Sequence, residues 1–173
     1  MAEPPFAARA LLFDLDGTLI DTVPDIAAAA NQAMRIMGRP ERPIKNLRRW
    51  IGNGSRKFLQ RTLTGEWNGE PEEALLEEAL THFFDQYAEH VWEKSRLYPG
   101  VEDTLRAFHE QGFAMACVTN KPVRHTALLL EASGLSRYLL RWVGGDTLDV
   151  RKPDPGPLLH AAGGLGCAPV ESV

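Results

Sequence analysis

Two short apolar runs constrain this chain more than any other feature, because of the distance between them. Ala10-Leu11-Leu12-Phe13 and Phe113-Ala114-Met115-Ala116-Cys117-Val118-Thr119 both read as strands covered on two faces, the pattern of a parallel sheet. A strand-helix-strand crossover needs only a dozen or more residues, yet about 100 separate the two runs. Most of that interval has helical spacing. The economical reading is an α/β class fold: a Rossmann-like parallel sheet over residues 1–19 and 96–173, carrying an all-helical insertion over residues 20–95. Leu140 to Val143 supplies a short third strand, and a last helix opens over Pro155 to Ala162.

The insertion has its own punctuation. Asp21 or Thr22 caps a helix with Pro24 in its first turn, and Ile26, Ala29, Ala30, Ala33 and Met37 recur at helical spacing. Gly38 ends it, and residues 39–43 form a Pro-rich linker. Shorter helices follow over Lys45 to Trp50 and Arg56 to Leu63, separated by the turn Gly52-Asn53-Gly54-Ser55. The clearest helix starts at Pro71, with Leu76, Leu80, Phe83, Tyr87 and Val91 as its apolar stripe. In the α/β part, helices run from Val101 to a stop at Gly112, and from Val123 to Ser133 before Gly134. Gly163-Gly164 is a poor helix-forming pair, so the last helix is expected to end early or fray there.

Composition excludes several classes. A net charge of -4 argues against a general nucleic-acid binder. No run approaches the roughly 18 apolar residues of a membrane span, and the segment around Glu3 lacks a basic-then-apolar signal pattern. Cys117 and Cys167 have no metal-ligand spacing, and reduced thiols in a cytoplasmic protein are the simplest reading.

The chemistry gathers at the strand ends, where open α/β sheets bind ligands. Asp14 and Asp16 close the first strand, and residues two apart in a strand point to one side. Neighbouring carboxylates repel unless a cation or a shared proton holds them, and Mg2+ satisfies both through oxygen ligands. The second strand ends in Thr119-Asn120-Lys121-Pro122: a hydroxyl at the sheet edge, then an asparagine that begins the next helix as an N-cap or as part of an anion site. Lys152 precedes Pro153, ahead of the last helix, as a counter-charge for the acids and a phosphate.

Order and placement make these three segments resemble the haloacid dehalogenase superfamily of phosphotransferases. Phe13-Asp14-Leu15-Asp16-Gly17-Thr18-Leu19 is similar to its first motif, Val118-Thr119-Asn120 to the second and Lys152-Pro153 to the third. The insertion resembles the family's helical cap. Gly17-Thr18-Leu19-Ile20-Asp21-Thr22-Val23-Pro24-Asp25, Trp50-Ile51-Gly52-Asn53-Gly54 and Leu97-Tyr98-Pro99-Gly100-Val101 are together similar to bacterial phosphoglycolate phosphatases.

The resemblance implies a phosphomonoesterase for a small phosphate ester such as 2-phosphoglycolate. Asp14 is the implied nucleophile, Asp16 the acid and base, and Thr119 and Lys152 complete the catalytic set. Thr18 and Asn120 are the implied substrate contacts in the core. Mg2+ is the implied cofactor, held by Asp14 and the main-chain carbonyl of Asp16. Asn53, Gly54 and Arg56 of the insertion are expected to meet the substrate carboxylate, as a Gly-rich turn followed by basic charge. A monomer or homodimer acting on a small molecule, with no nucleic acid and no membrane, is the expected state. A different capped phosphatase or a sugar-phosphate mutase remains open, as does an inactive fragment that binds a partner. The family's fourth motif, an acidic Mg2+ ligand after a further strand, has no counterpart beyond Ala168 to Val173. Asp146, Asp149 and Asp154 follow no new strand. The expectation is therefore a C-terminally truncated enzyme with weak Mg2+ binding, little turnover and an exposed hydrogen-bonding edge along Leu11 to Phe13.

Overall fold

The computed structural model describes residues 8–173; residues 1–7, including Glu3, lie outside the described part. The described residues divide into two compact units, 8–20 with 97–173 and 21–96.

The first unit is built on a parallel sheet. Strand β1 (Ala10–Phe13) lies beside β4 (Ala114–Val118) in the register Ala10 to Ala114 through Phe13 to Cys117. On the other side of β4 runs β5 (Arg141–Val143), from Ala116 opposite Arg141 to Val118 opposite Val143. The central place of β4 explains its unbroken apolar sequence, since both faces are covered. Helices α5 (Val101–Glu110), α6 (Val123–Ala132) and α7 (Gly156–Gly164) belong to the same unit. Helix α7 packs on all three strands, and its Ala161 joins Ala116, Val118 and Val143 in a buried cluster flanked by Leu12 and Leu165.

The strands are shorter than the apolar runs that announced them. The Phe113 N–H closes α5 on the Phe108 carbonyl, while the Thr119 N–H still reaches the Val143 carbonyl at 3.0 Å. Leu140 is 69% exposed and lies outside β5 despite its bond to Met115. Two very short strands, β2 (Ile20–Asp21) and β3 (Arg96–Leu97), form a separate two-stranded sheet. Two residues carry no periodicity, so nothing in the sequence announces them.

The β1 edge is not left open as expected. The terminal residues run parallel to β1 on the side away from β4, with Ser172 opposite Ala10. Arg9 donates to the Glu171 carbonyl at 2.8 Å, Val173 to Ala10 at 3.1 Å, and Leu12 to Val173 at 2.7 Å. Those bonds satisfy main-chain groups that an edge strand otherwise leaves to water.

The second unit is a helical bundle of α1 (Val23–Ile36), α2 (Ile44–Trp50), α3 (Ser55–Thr64) and α4 (Glu73–Glu89). Ala29, Ala30 and Ala33 of α1 are buried, and α1 packs on α4. Phe83 of α4 stacks on Tyr87 with centroids 5.8 Å apart and meets Phe58 of α3 at the same 5.8 Å. Helix α4 begins two residues after Pro71 and ends before Val91, which packs on the core from outside the helix. Asp25 is 3% exposed. Its carboxylate accepts the main-chain N–H groups of Lys94 and Ser95, each at 2.8 Å, and so ties the start of α1 to the end of the unit. An acid in a first helical turn ordinarily reads as a partner of the helix dipole, which is why the sequence does not reveal its long-range task.

Helix α7 runs through both glycines instead of ending before them. Glycine is required at 164: a Cβ there would lie 0.8 Å from Nη1 of Arg141, so the guanidinium occupies the space that a side chain would take. Gly163 is exposed and helical, and a methyl group added to it would meet nothing within 4 Å. Gly163→Ala is therefore expected to stabilise the protein by roughly 0.5–1 kcal/mol, read from chemical denaturation, because alanine restricts the unfolded chain and fits the helix.

Candidate active site

Strand β1 delivers Asp14 to the C-terminal edge of the sheet. Leu15, between the acids, is fully buried and anchors the turn. Its carbonyl accepts the N–H groups of Thr18 at 3.3 Å, Leu19 at 3.0 Å and Ile20 at 3.1 Å, while Gly17 donates to the Ile20 carbonyl at 2.9 Å. Closing so tight a turn places Gly17 at φ +84°, a left-handed conformation costly to any residue with a Cβ. The two acids thus project from a rigid support, and Thr18 sits exposed on the same turn.

Each acid has its own ammonium. Lys152 Nζ lies 2.8 Å from Asp14 Oδ1 and 2.6 Å from the Val118 carbonyl. Lys121 Nζ lies 2.9 and 3.2 Å from the two oxygens of Asp16. Opposite charges at this range attract, so the arrangement offsets the repulsion that two adjacent carboxylates would otherwise suffer. Sequence alone assigns a counter-charge to Lys152 and none to Lys121. A signal was present: Lys121 lies two residues beyond Thr119, at the same strand end.

The loops after β4 and β5 brace each other. Asn120 Nδ2 donates to the Lys152 carbonyl at 3.1 Å, and the Lys121 N–H donates to Thr119 Oγ1 at 3.2 Å. The Gly145 N–H reaches the Lys121 carbonyl at 2.8 Å, and Arg151 Nε reaches the Gly145 carbonyl at 2.6 Å. Asn120 does not cap α6. Asp146 does, accepting the Val123 N–H at 2.7 Å, and the helix begins after Pro122. Asp154 likewise serves its own loop, accepting the Gly156 N–H at 2.7 Å. The Lys152–Pro153 peptide is cis. Cys117 is buried in β4, where burial foremost, and then the negative charges of Asp14 and Asp16, push its thiol pKa up.

Asp14, Asp16, Thr119, Asn120 and Lys152 are therefore joined, with Lys121, in one hydrogen-bonded group at the sheet edge. The residues expected from the insertion have partners inside the helical unit. Asn53 Oδ1 accepts from Arg61 Nη1 at 3.0 Å, and Gly54 precedes α3 at φ +83°. The Arg56 guanidinium pairs with both Glu73 and Glu77 of α4. Its charge is engaged there by two carboxylates.

The donor set suits a hard divalent cation. Among the described residues no three His, Cys, Asp or Glu side chains cluster as a closed metal cage. Mg2+ does not need one, since it binds through one or two carboxylates, waters and substrate phosphate. The Asp14 side chain is 43% exposed, so its carboxylate is open to solvent.

A parallel α/β unit with acids and ammonium groups gathered at its strand ends has the build of an enzyme that handles an anionic ligand. The family model of the haloacid dehalogenase-like hydrolases matches residues 8–173, and the chain belongs to that family. A phosphoglycolate phosphatase from Thiobacillus denitrificans is 44% identical over 167 residues, covering 96% of this chain and 74% of its own length. Another phosphoglycolate phosphatase, from Nitrosospira multiformis, is 43% identical over 157 residues, covering 91% of this chain and 69% of its own. Among solved structures, a predicted phosphoglycolate phosphatase from Haemophilus somnus superposes with a TM-score of 0.87 at 31% identity, over 98% of this chain and 76% of that one. Among the described residues no helix is long and apolar enough to cross a membrane.

Proposed function

We propose that the chain works as a Mg2+-dependent phosphomonoesterase on a small phosphate ester, with 2-phosphoglycolate as the favoured substrate. The observation that carries the reading is the pair Asp14 and Asp16 at the end of β1, each bound by a separate ammonium from a neighbouring loop. The relatives named phosphoglycolate phosphatase support the substrate.

In this reading the Asp14 carboxylate attacks phosphorus and becomes an acyl phosphate. The ester oxygen leaves with a proton from the Asp16 carboxyl. Water then attacks the acyl phosphate, Asp16 takes its proton, and phosphate departs with the Asp14 carboxylate restored. Lys152, the Thr119 hydroxyl and the Asn120 amide stabilise charge on the transferring group. Thr18 contacts the phosphoryl group from the β1 turn. Asp14 and the main-chain carbonyl of Asp16 would hold Mg2+, which would supply positive charge to offset the repulsion of the anionic nucleophile and its anionic substrate. The reaction uses groups of the α/β unit; Asn53, Gly54 and Arg56 are engaged within the helical unit.

Phosphate release from 2-phosphoglycolate, 3-phosphoglycerate, glucose 6-phosphate and p-nitrophenyl phosphate, each with Mg2+ and with EDTA, tests the proposal. Expected is slow release that requires Mg2+ in large excess, with the highest kcat/KM on 2-phosphoglycolate among the alkyl esters. No release from any ester in Mg2+ overturns the phosphatase reading. Isomerisation of a sugar phosphate in place of hydrolysis moves the protein to the mutases.

A further inference from the structure

Lys121 is built into the fold in a way that a solvated strand-end lysine is not. Its side chain is 6% exposed and its ammonium spans both oxygens of Asp16. Taking an ammonium out of water is costly unless an opposite charge and good hydrogen bonds replace the solvent. The main chain is secured as well. The Lys121 N–H donates to Thr119 Oγ1, and its carbonyl accepts the Gly145 N–H at 2.8 Å. Gly145 can come so close only because it lacks a side chain: a Cβ there would lie 2.2 Å from the Asn120 carbonyl oxygen. The loop after β5 therefore holds Lys121 in place, and Lys121 holds Asp16.

The two ammonium groups also differ in setting. The pair Lys152 and Asp14 has side chains 24% and 43% exposed, open enough for incoming ligands to share the lysine. The pair Lys121 and Asp16, at 6% and 17%, is the more enclosed of the two. A carboxyl group on a two-torsion side chain has several rotamers. Proton transfer needs it within about 2.6–3.2 Å of the reacting oxygen. A two-point ammonium contact selects one of those rotamers.

We propose that Lys121 is a positioning residue for the reaction: it fixes the Asp16 carboxyl in the orientation that serves the leaving oxygen, without touching the substrate. The inference rests on the reading of Asp16 as the acid and base of a phosphomonoesterase. Lys121 is then the link through which the packing of Gly145 reaches the chemistry. It divides the labour of the two lysines, one for the transferred group and one for the proton donor.

The test compares two esters, because only one of them needs the acid. Alkoxide is a poor leaving group and leaves with a proton, whereas p-nitrophenolate leaves without one. In Lys121→Met, kcat/KM for 2-phosphoglycolate is expected to fall roughly 10–100-fold, part of the 10²–10⁴ that a positioned acid contributes. For p-nitrophenyl phosphate it is expected to fall less than about fivefold, since that step borrows little from the acid. A merely structural lysine would lower both alike, and equal losses overturn the proposal. The double variant Asp16→Asn/Lys121→Met leaves neither charge of the pair buried, so it is expected to fold even where Lys121→Met does not. Its kcat/KM should match that of Asp16→Asn within about twofold, because residues acting as one unit are not additive. A further tenfold loss overturns the proposal. Crystals of Lys121→Met, or of Lys121→Gln where the methionine variant does not fold, give a readout independent of turnover. Asp16 is expected to leave its present rotamer, and an unmoved carboxylate overturns the inference. A phosphatase assay that is blank in the parent protein defeats the phosphomonoesterase reading, while the crystals still decide whether Lys121 holds Asp16.

Discussion

Asp14→Asn is expected to lower turnover of 2-phosphoglycolate by about 10³-fold or more, the scale seen when a covalent nucleophile is removed. Asparagine keeps the shape of aspartate but lacks the charge that attacks phosphorus. The fold should survive the change. The Asp14 side chain is 43% exposed, and Lys152 retains its bond to the Val118 carbonyl at 2.6 Å when the carboxylate is gone. Phosphate release should therefore collapse while the melting temperature stays within about 3 °C of the parent, as expected for a loss below 1 kcal/mol in a chain of this size. Residual turnover above a tenth of the parent's would show that another group is the nucleophile.

Gly145→Ala is expected to damage both stability and catalysis. The added methyl would sit 2.2 Å from the Asn120 carbonyl oxygen and 2.8 Å from its carbonyl carbon. Both are main-chain atoms, so no side chain can swing aside. Overpacking of this kind costs about 1–3 kcal/mol, which lowers the melting temperature by roughly 2–12 °C. Relief comes only by moving the loop after β5 away from Asn120 and Lys121. That breaks the Gly145 to Lys121 bond and strains the Asn120 contact to Lys152, so both lysines shift from their acids. Displacements near 1 Å at such a site cost on the order of 10²-fold in rate, and a fall of at least tenfold in kcat/KM is expected. Gly163→Ala, with open space at the same methyl position, is the internal control: same chemistry, opposite sign.

Much of this is legible in the order of the amino acids. The strand β1, the two acids after it and the lysine before Pro153 follow from apolar runs and from residue types at turns, which are local properties. The helices are legible because amphipathic spacing repeats over several turns. Their ends are less so: α4 begins after Pro71 and stops before Val91, and α7 continues through Gly163 and Gly164. At 164 a tertiary neighbour, Arg141, fills the space that any side chain would need, which the sequence does not announce. The partners that Arg56 and Asn53 meet inside the helical unit are not legible, because exposed basic and Gly-rich segments carry no label for them. Those partners, Glu73, Glu77 and Arg61, lie up to 21 residues away in sequence.

Local chain chemistry is enough to say which groups the strand ends carry. A strand of period two and a turn that needs glycine leave few places for Asp14, Asp16 and Gly17 to go. How charge is shared among those groups emerges only once the chain is folded. Lys121 meets Asp16 across 105 residues and Lys152 meets Asp14 across 138. Asp146 spends its carboxylate on a helix end, and the last residues cover the flank of β1. Ion pairing depends on distance in space, and sequence separation carries almost no information about it until the sheet has brought its strand ends together.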